Sequence, residues 1–183
     1  YGLYFHINKK DTSADNNNDG FRDNPTGQQL NILNRFQYTN LEKGLVGFFD
    51  FNYIFDERVY GQNEHISNTI FTENQNYWRG KSDAEIIKTN FKFGFVDPEI
   101  TYRSLGIQFA YTGIDMGSSF GNSVHDINQS SIFTNLVYNS IIGNTYNKIK
   151  TGISISYDEY DEYVSTLDTV SYTHLRAHET SEN

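Results

Sequence analysis

The residues whose types and spacing come closest to a known chemistry are in DNNNDGFRD, residues 15–23. A calcium loop needs side-chain oxygens at its positions 1, 3 and 5, a glycine at 6, a backbone carbonyl at 7 and often a further ligand at 9. Asp15, Asn17, Asp19, Gly20, Phe21 and Asp23 meet those requirements in that order. The glycine matters because the chain must turn sharply to aim oxygens inward. Position 12 is Thr26 instead of a bidentate glutamate, and no helix is expected on either side, so an ordinary EF-hand is excluded. The expectation is a short loop of the extracellular type. In it Asp15, Asn17, Asp19, Asp23 and the Phe21 carbonyl would hold a Ca2+ ion at millimolar concentration. The competing expectation is a solvated turn, since Asn, Asp and Gly favour turns without any metal.

Little other chemistry is written into the chain. There is no nucleophile elbow, P-loop, HExxH or dinucleotide fingerprint. Asp158, Glu159, Asp161 and Glu162 follow one another too closely to form an evident acid/base pair and read as a solvated rim. No enzymatic activity is expected. His6 and His125 stand isolated in sequence. The formal net charge is -9, which argues against nucleic acid, because phosphate binding needs clustered Lys and Arg. There are no cysteines, which excludes disulfides and thiolate metal sites. No run of about 20 apolar residues could cross a membrane as a helix. The first residues do not resemble a signal peptide, and the chain begins without Met, so a piece of a longer protein is expected.

The elements that must carry the loop are strands. Period-two alternation runs through residues 1–8, 30–39, 45–56, 86–95, 104–113 and 147–157, and 131–142, apolar on both faces in places, is expected as a strand from its loop-like bounds and its β-formers. In the third of these, Phe49, Phe51, Tyr53 and Phe55 oppose Asp50, Asn52 and Asp56. Arg35, Gln37, Lys88, Lys92 and Gln108 fall on the polar faces of their own strands. This predicts an all-β antiparallel meander of about seven strands. Between them, long loops at 10–27 and 57–84 and a medium loop at 115–129 alternate with short turns at 40–44, 96–104 and 142–148. Aromatics make up 16% of the residues although the mean hydropathy is -0.63. That pairing suits strands that are apolar on one face only. It suits a large transmembrane β-barrel, with its long loops at one end, its wet lumen and its aromatic girdles. Tyr38, Tyr102, Tyr138 and Tyr146 would form one girdle, and Tyr60, Tyr111 and Tyr157 the other. The alternative is a soluble, calcium-binding β-sandwich of the carbohydrate-binding type. Seven strands cannot close a bacterial barrel by themselves.

The run DNNNDGFRDNPTGQQLNILNRFQY resembles the barrel of TonB-dependent outer-membrane receptors, which carry an Asp/Asn-Gly-rich loop, a Pro and a strand reading N-I-L-N-R-aromatic. YRSLGIQFAYTGIDMGSSFG and SIIGNTYNKIKTGISISY resemble the same family less specifically. The resemblance covers residues 1–165 and implies part of the wall of a barrel of roughly 22 strands with a plug in its lumen. It implies a bacterial outer-membrane location, outer-membrane lipid around the wall and energy from the TonB protein through a part not contained in this sequence. Its ligand would be a metal chelate, a cobalamin-like cofactor or a glycan. Residues 166–183 form a tail. From about 171, SYTHLRAHETSEN resembles translated adapter sequence joined to truncated reading frames. No strand is expected there, and His174 and His178 are read as part of that tail instead of as a metal pair.

Overall fold

A computed structural model of the chain describes residues 1–63 and 78–166, together with the backbone of 175–182. The strands are β1 (Gly2–Lys10), β2 (Thr26–Asn40), β3 (Leu45–Gly61), β4 (Arg79–Val96), β5 (Ser104–Phe120), β6 (Ser123–Ile141), β7 (Lys148–Thr166) and β8 (Leu175–Glu182). They form one eight-stranded sheet in sequence order, β1 to β8, and every neighbouring pair is antiparallel. Among the described residues no second sheet covers either face, so these strands do not form the two layers of a sandwich. No hydrophobic side chain among the described residues is buried.

The register carries the alternation across the sheet. Phe36 pairs with Phe49, Phe49 with Phe91 and Phe91 with Phe109, giving four phenylalanines in one row on adjacent strands. Side chains alternate faces along a strand, so directly paired residues share a face. Phe5, Leu30, Ile32, Phe51, Tyr53, Phe55, Ile87, Phe93, Ile107, Leu136, Ile153 and Ile155 therefore share the face of that row. On β3 the apolar stretch runs from Leu45 to Phe55, the length that a tilted membrane strand needs, roughly 9–11 residues.

Toward the loop end the same face turns acidic. Glu85 pairs with Asp115, Asp115 with Asn128 and Asn128 with Asp161. One rung farther, Glu57 pairs with Asp83, and Asp83 with Gly117. The end of the unbroken apolar run steps back across the sheet, from Phe55 on β3 to Ile87 on β4 and Tyr111 on β5. Relative to Phe55, Ile87 lies one same-face rung back and Tyr111 two. The boundary is thus oblique to the strands, as it is where strands are tilted to a slab. Tyr111 and Tyr157 lie on one rung at that boundary, joined through Ile132. Tyr111 lies over Gly113 on its own strand, where an added Cβ would meet its hydroxyl at 2.8 Å. Tyr60 lies on the opposite face, so it is not a member of that girdle.

The other face is the more polar one, although Ile54, Ile86 and Ile114 form an apolar row across it. It holds Arg35, Gln37, Asp50, Asn52, Lys88, Lys92 and Gln108. Asp50, only 8% exposed, is paired in register with Arg35 and Asn90 and accepts a hydrogen bond from Asn90 Nδ2 at 2.9 Å.

Several expected boundaries are corrected. The strands run past their apolar stretches, so β3 extends to Gly61, β4 begins at Arg79 and β7 runs through the acidic segment to Thr166. Backbone pairing continues where both faces have become polar, and alternation no longer reports it. The expected loop at 115–129 is strand on both sides of a tight turn, Phe120–Gly121–Asn122–Ser123. Gly121 takes φ +58 at the first turn position, as glycine-first hairpins require. The alternation of long and short connections therefore fails at this point. Part of the expected 57–84 loop, residues 64–77, lies outside the described residues. The sheet also has one strand more than expected. Residues 175–182 pair with Ile155–Glu162 of β7, although the tail was read as carrying no strand. The open edge of β7 offers unpaired N–H and C=O groups to any extended backbone, whatever its side-chain pattern. His174 lies outside the described residues.

Candidate functional site

The loop between β1 and β2 is tied into a compact knot by its own carboxylates. Asp15 accepts N–H bonds from Asp19 at 3.1 Å and from Gly20 at 3.0 Å, one on each carboxylate oxygen. Asp19 Oδ1 accepts the Phe21 N–H at 2.8 Å, and Asn17 Nδ2 donates to Asp19 Oδ2 at 2.8 Å. Asp23 closes the loop: its Oδ2 accepts the Asn16 N–H at 2.9 Å, and its own N–H reaches the Ala14 carbonyl at 2.8 Å. Asn18, at φ +55, and Gly20, at φ +85, occupy the left-handed region that reverses the chain.

The structure thus brings Asp15, Asn17, Asp19, Phe21 and Asp23 into one loop, but their oxygens are turned to backbone N–H groups. Among the described residues, no three His, Asp or Glu side chains are placed to hold a metal ion. In this conformation the loop is a hydrogen-bonded turn, and its side chains would have to turn inward to take up calcium.

The knot is docked on the sheet. Phe21 bridges to Gln62, the Arg22 N–H donates to the Gly61 carbonyl at 3.0 Å, and the Asn63 N–H donates to the Gly20 carbonyl at 2.8 Å. Docking sets Phe21 beside Trp78, with ring centroids 6.4 Å apart. Trp78 lies 6.5 Å from Phe120, and Phe120 lies 5.7 Å from Tyr60. The Trp78 N–H donates to Gln62 Oε1 at 3.0 Å. Arg22 Nη1 donates to Thr26 Oγ1 at 3.3 Å, while the buried Arg22 Nε and Asn63 Oδ1 have no hydrogen-bond partner among the described residues.

Sequence reasoning missed this aromatic cluster. Tyr60, Trp78 and Phe120 all lie in stretches expected as loops, and nothing in the sequence groups them together. His125 is likewise not isolated: its Nε2 lies 2.6 Å from Glu162 Oε1 on the neighbouring strand. Asp158 and Glu162 share the polar face with it, whereas Glu159 and Asp161 lie on the other face.

Comparison with protein families, with characterised proteins and with solved structures finds no match to this chain.

Proposed function

We infer that the chain is a stretch of wall from a bacterial outer-membrane β-barrel, specifically a TonB-dependent transporter that takes up a scarce ligand. One observation carries this reading: an apolar, aromatic band continuous across neighbouring strands on one face, ended by rows of carboxylates and backed by a polar face. Lipid would cover the band, and water, a plug and passing ligand would meet the polar face. A sheet that buries no hydrophobic side chain needs such a cover, since burial of apolar surface is the dominant favourable term in folding. The transporter part of the reading rests on the sequence resemblance, as does the partnership with TonB.

Calcium is proposed only as a weak, loop-stiffening ligand of Asp15, Asn17, Asp19, Asp23 and the Phe21 carbonyl. The ion would have to displace the hydrogen bonds made by Asp15 and Asp19.

Cell fractionation tests the location. The protein carrying this stretch should sediment with outer membranes and resist carbonate extraction, and recovery in the soluble fraction would refute the reading. Ligand uptake by those cells should stop when the gene for TonB is deleted; uptake that continues would leave a barrel but not a TonB-dependent one.

A further inference from the structure

We propose that the short-turn half of the polar face is a docking trough for an acidic polypeptide segment. The proposal rests on the reading above, which turns this face away from lipid, and it names the chemistry of a partner that meets it.

The floor of the trough is backbone. Val46, Gly94, Gly106, Val137 and Gly152 pair in one row across β3 to β7, so three of these five positions carry no side chain. An added Cβ on Gly106 would meet nothing within 4 Å, and one on Gly94 only the Val46 carbonyl oxygen at 3.9 Å. The open volume over Gly94 and Gly106 is about 380 Å³. Phe48, Lys92, Gln108 and Asn135, successive partners in the next row, form one wall.

The charge on this half of the face is one-sided. Four successive rows run from the one joining Arg35 to Ser156 to the one joining Val96 to Lys150. They hold Arg35, Lys92 and Lys150 and a single carboxylate, Asp50. Asp50 is nearly buried and already accepts from Asn90. All three cations are exposed, and among the described residues none of them is in an ion pair. The Arg35 guanidinium lies over the Phe48 ring, 5.2 Å from its centroid, which sets it at one end of the trough. On the same face Asp56, Asp158 and Glu162 are all gathered toward the loop end.

Spacing selects the occupant. Arg35, Lys92 and Lys150 sit on β2, β4 and β7, two and three strand spacings apart, or roughly 10 and 14 Å. One small anion cannot meet all three. A polypeptide segment meets them with carboxylates spread along its length. Its small apolar side chains would rest against Val46, Phe48 and Val137, and its peptide groups would lie beside the Gln108 and Asn135 amides. A basic segment would face three like charges, which an interface strongly disfavours.

The test uses the full chain folded in detergent micelles and a fluorescein-labelled peptide built of Glu, Ala and Val, read by anisotropy. This peptide should bind, and its counterpart with Lys in place of Glu should not. Lys92→Glu and Arg35→Glu should each weaken binding roughly tenfold, the reversal of one facing charge. Gly106→Leu fills the open floor without altering charge and should block binding. Phe51→Ala on the opposite face should leave it unchanged. Circular dichroism of each variant checks that the sheet persists. No binding of the acidic peptide, equal binding of the two peptides, or unchanged affinity in Gly106→Leu overturns the trough. Polygalacturonate that binds as tightly as the peptide would show that charge alone suffices, and displacement by citrate at equal concentration would show a small-anion site; either result overturns the proposal. Membrane insertion is scored separately. Inserted protein that binds no peptide sinks the trough alone, and peptide binding by a protein that never enters a membrane sinks the barrel wall alone.

Discussion

Asp50 is the most buried ionisable side chain among the described residues, and its one clear partner, Asn90, lies on the next strand. Asp50→Ala removes the acceptor and strands the Asn90 amide, which should cost about 1–3 kcal/mol. Asp50→Asn keeps an oxygen at that place and should cost less. The denaturation midpoint of the folded protein in detergent measures both; equal losses would show that Asn90 does not depend on this acceptor. In the loop between β1 and β2 the informative residue is Asp19, whose two carboxylate oxygens take the Phe21 N–H and the Asn17 amide. Calorimetry of wild type against Asp19→Ala should give calcium heat only in the wild type. No heat in either, or the same heat in both, would mean that the knot is only a turn.

On β3, adjacent residues face opposite ways, which permits a controlled comparison. Phe51 lies in the apolar band and Asn52 on the polar face. Phe51→Arg should cost roughly 2–4 kcal/mol if the band crosses a bilayer near its midplane, and Asn52→Arg far less. Equal costs would refute the assignment of faces.

The turn between β4 and β5 has its own pH signature. The N–H groups of Ile100 and Glu99 donate to Asp97 Oδ1 at 3.2 and 3.0 Å. These bonds, with Arg103 nearby, hold the Asp97 carboxyl below the ordinary aspartate range. A depressed folded-state value means that the unfolded chain binds the proton first, so the stabilisation is present above about pH 4 and is lost as pH falls through the lowered value. Asp97→Asn retains an acceptor but cannot titrate. Its stability should therefore change less between about pH 5 and pH 2 than that of the wild type. Parallel acid curves for the two proteins would contradict this.

For the whole molecule, the governing fact is a single layer with two open faces and open outer edges. Among the described residues, β1 pairs only with β2, and β8 only with β7. Unpaired strand edges template association, and an aromatic face in water promotes it further. This chain alone in aqueous buffer should aggregate or require detergent, as light scattering would reveal. A monodisperse, sharply melting soluble monomer would contradict the membrane reading. The β8 strand contributes eight paired residues on one side of β7. Deleting residues 167–183 should leave amide-exchange protection in the β2–β6 ladders unchanged. Loss of protection there would make the tail an integral part of the sheet.

Side-chain alternation is a local property, and it was legible without any structure. Phe49, Phe51, Tyr53 and Phe55 had to oppose Asp50 and Asn52 wherever that strand lay, and the polar set from Arg35 to Gln108 followed for the same reason. The strand ends were not legible, because backbone hydrogen bonds continue a ladder past the point where side chains stop alternating. That is why β5 and β6 run to a tight turn at Gly121 through a stretch that reads as loop. Only the register could align the four phenylalanines into a row and set the carboxylates of separate strands on shared rungs, since it depends on pairing between distant segments. The calcium spacing from Asp15 to Asp23 was plain in the sequence. Whether those oxygens face an ion or the loop's own N–H groups is decided by the fold of the backbone around Asn18 and Gly20. Phe21, Trp78 and Phe120 come from the β1–β2 loop, the residue before β4 and the end of β5, and nothing short of the docked loop and the paired strands brings their rings together.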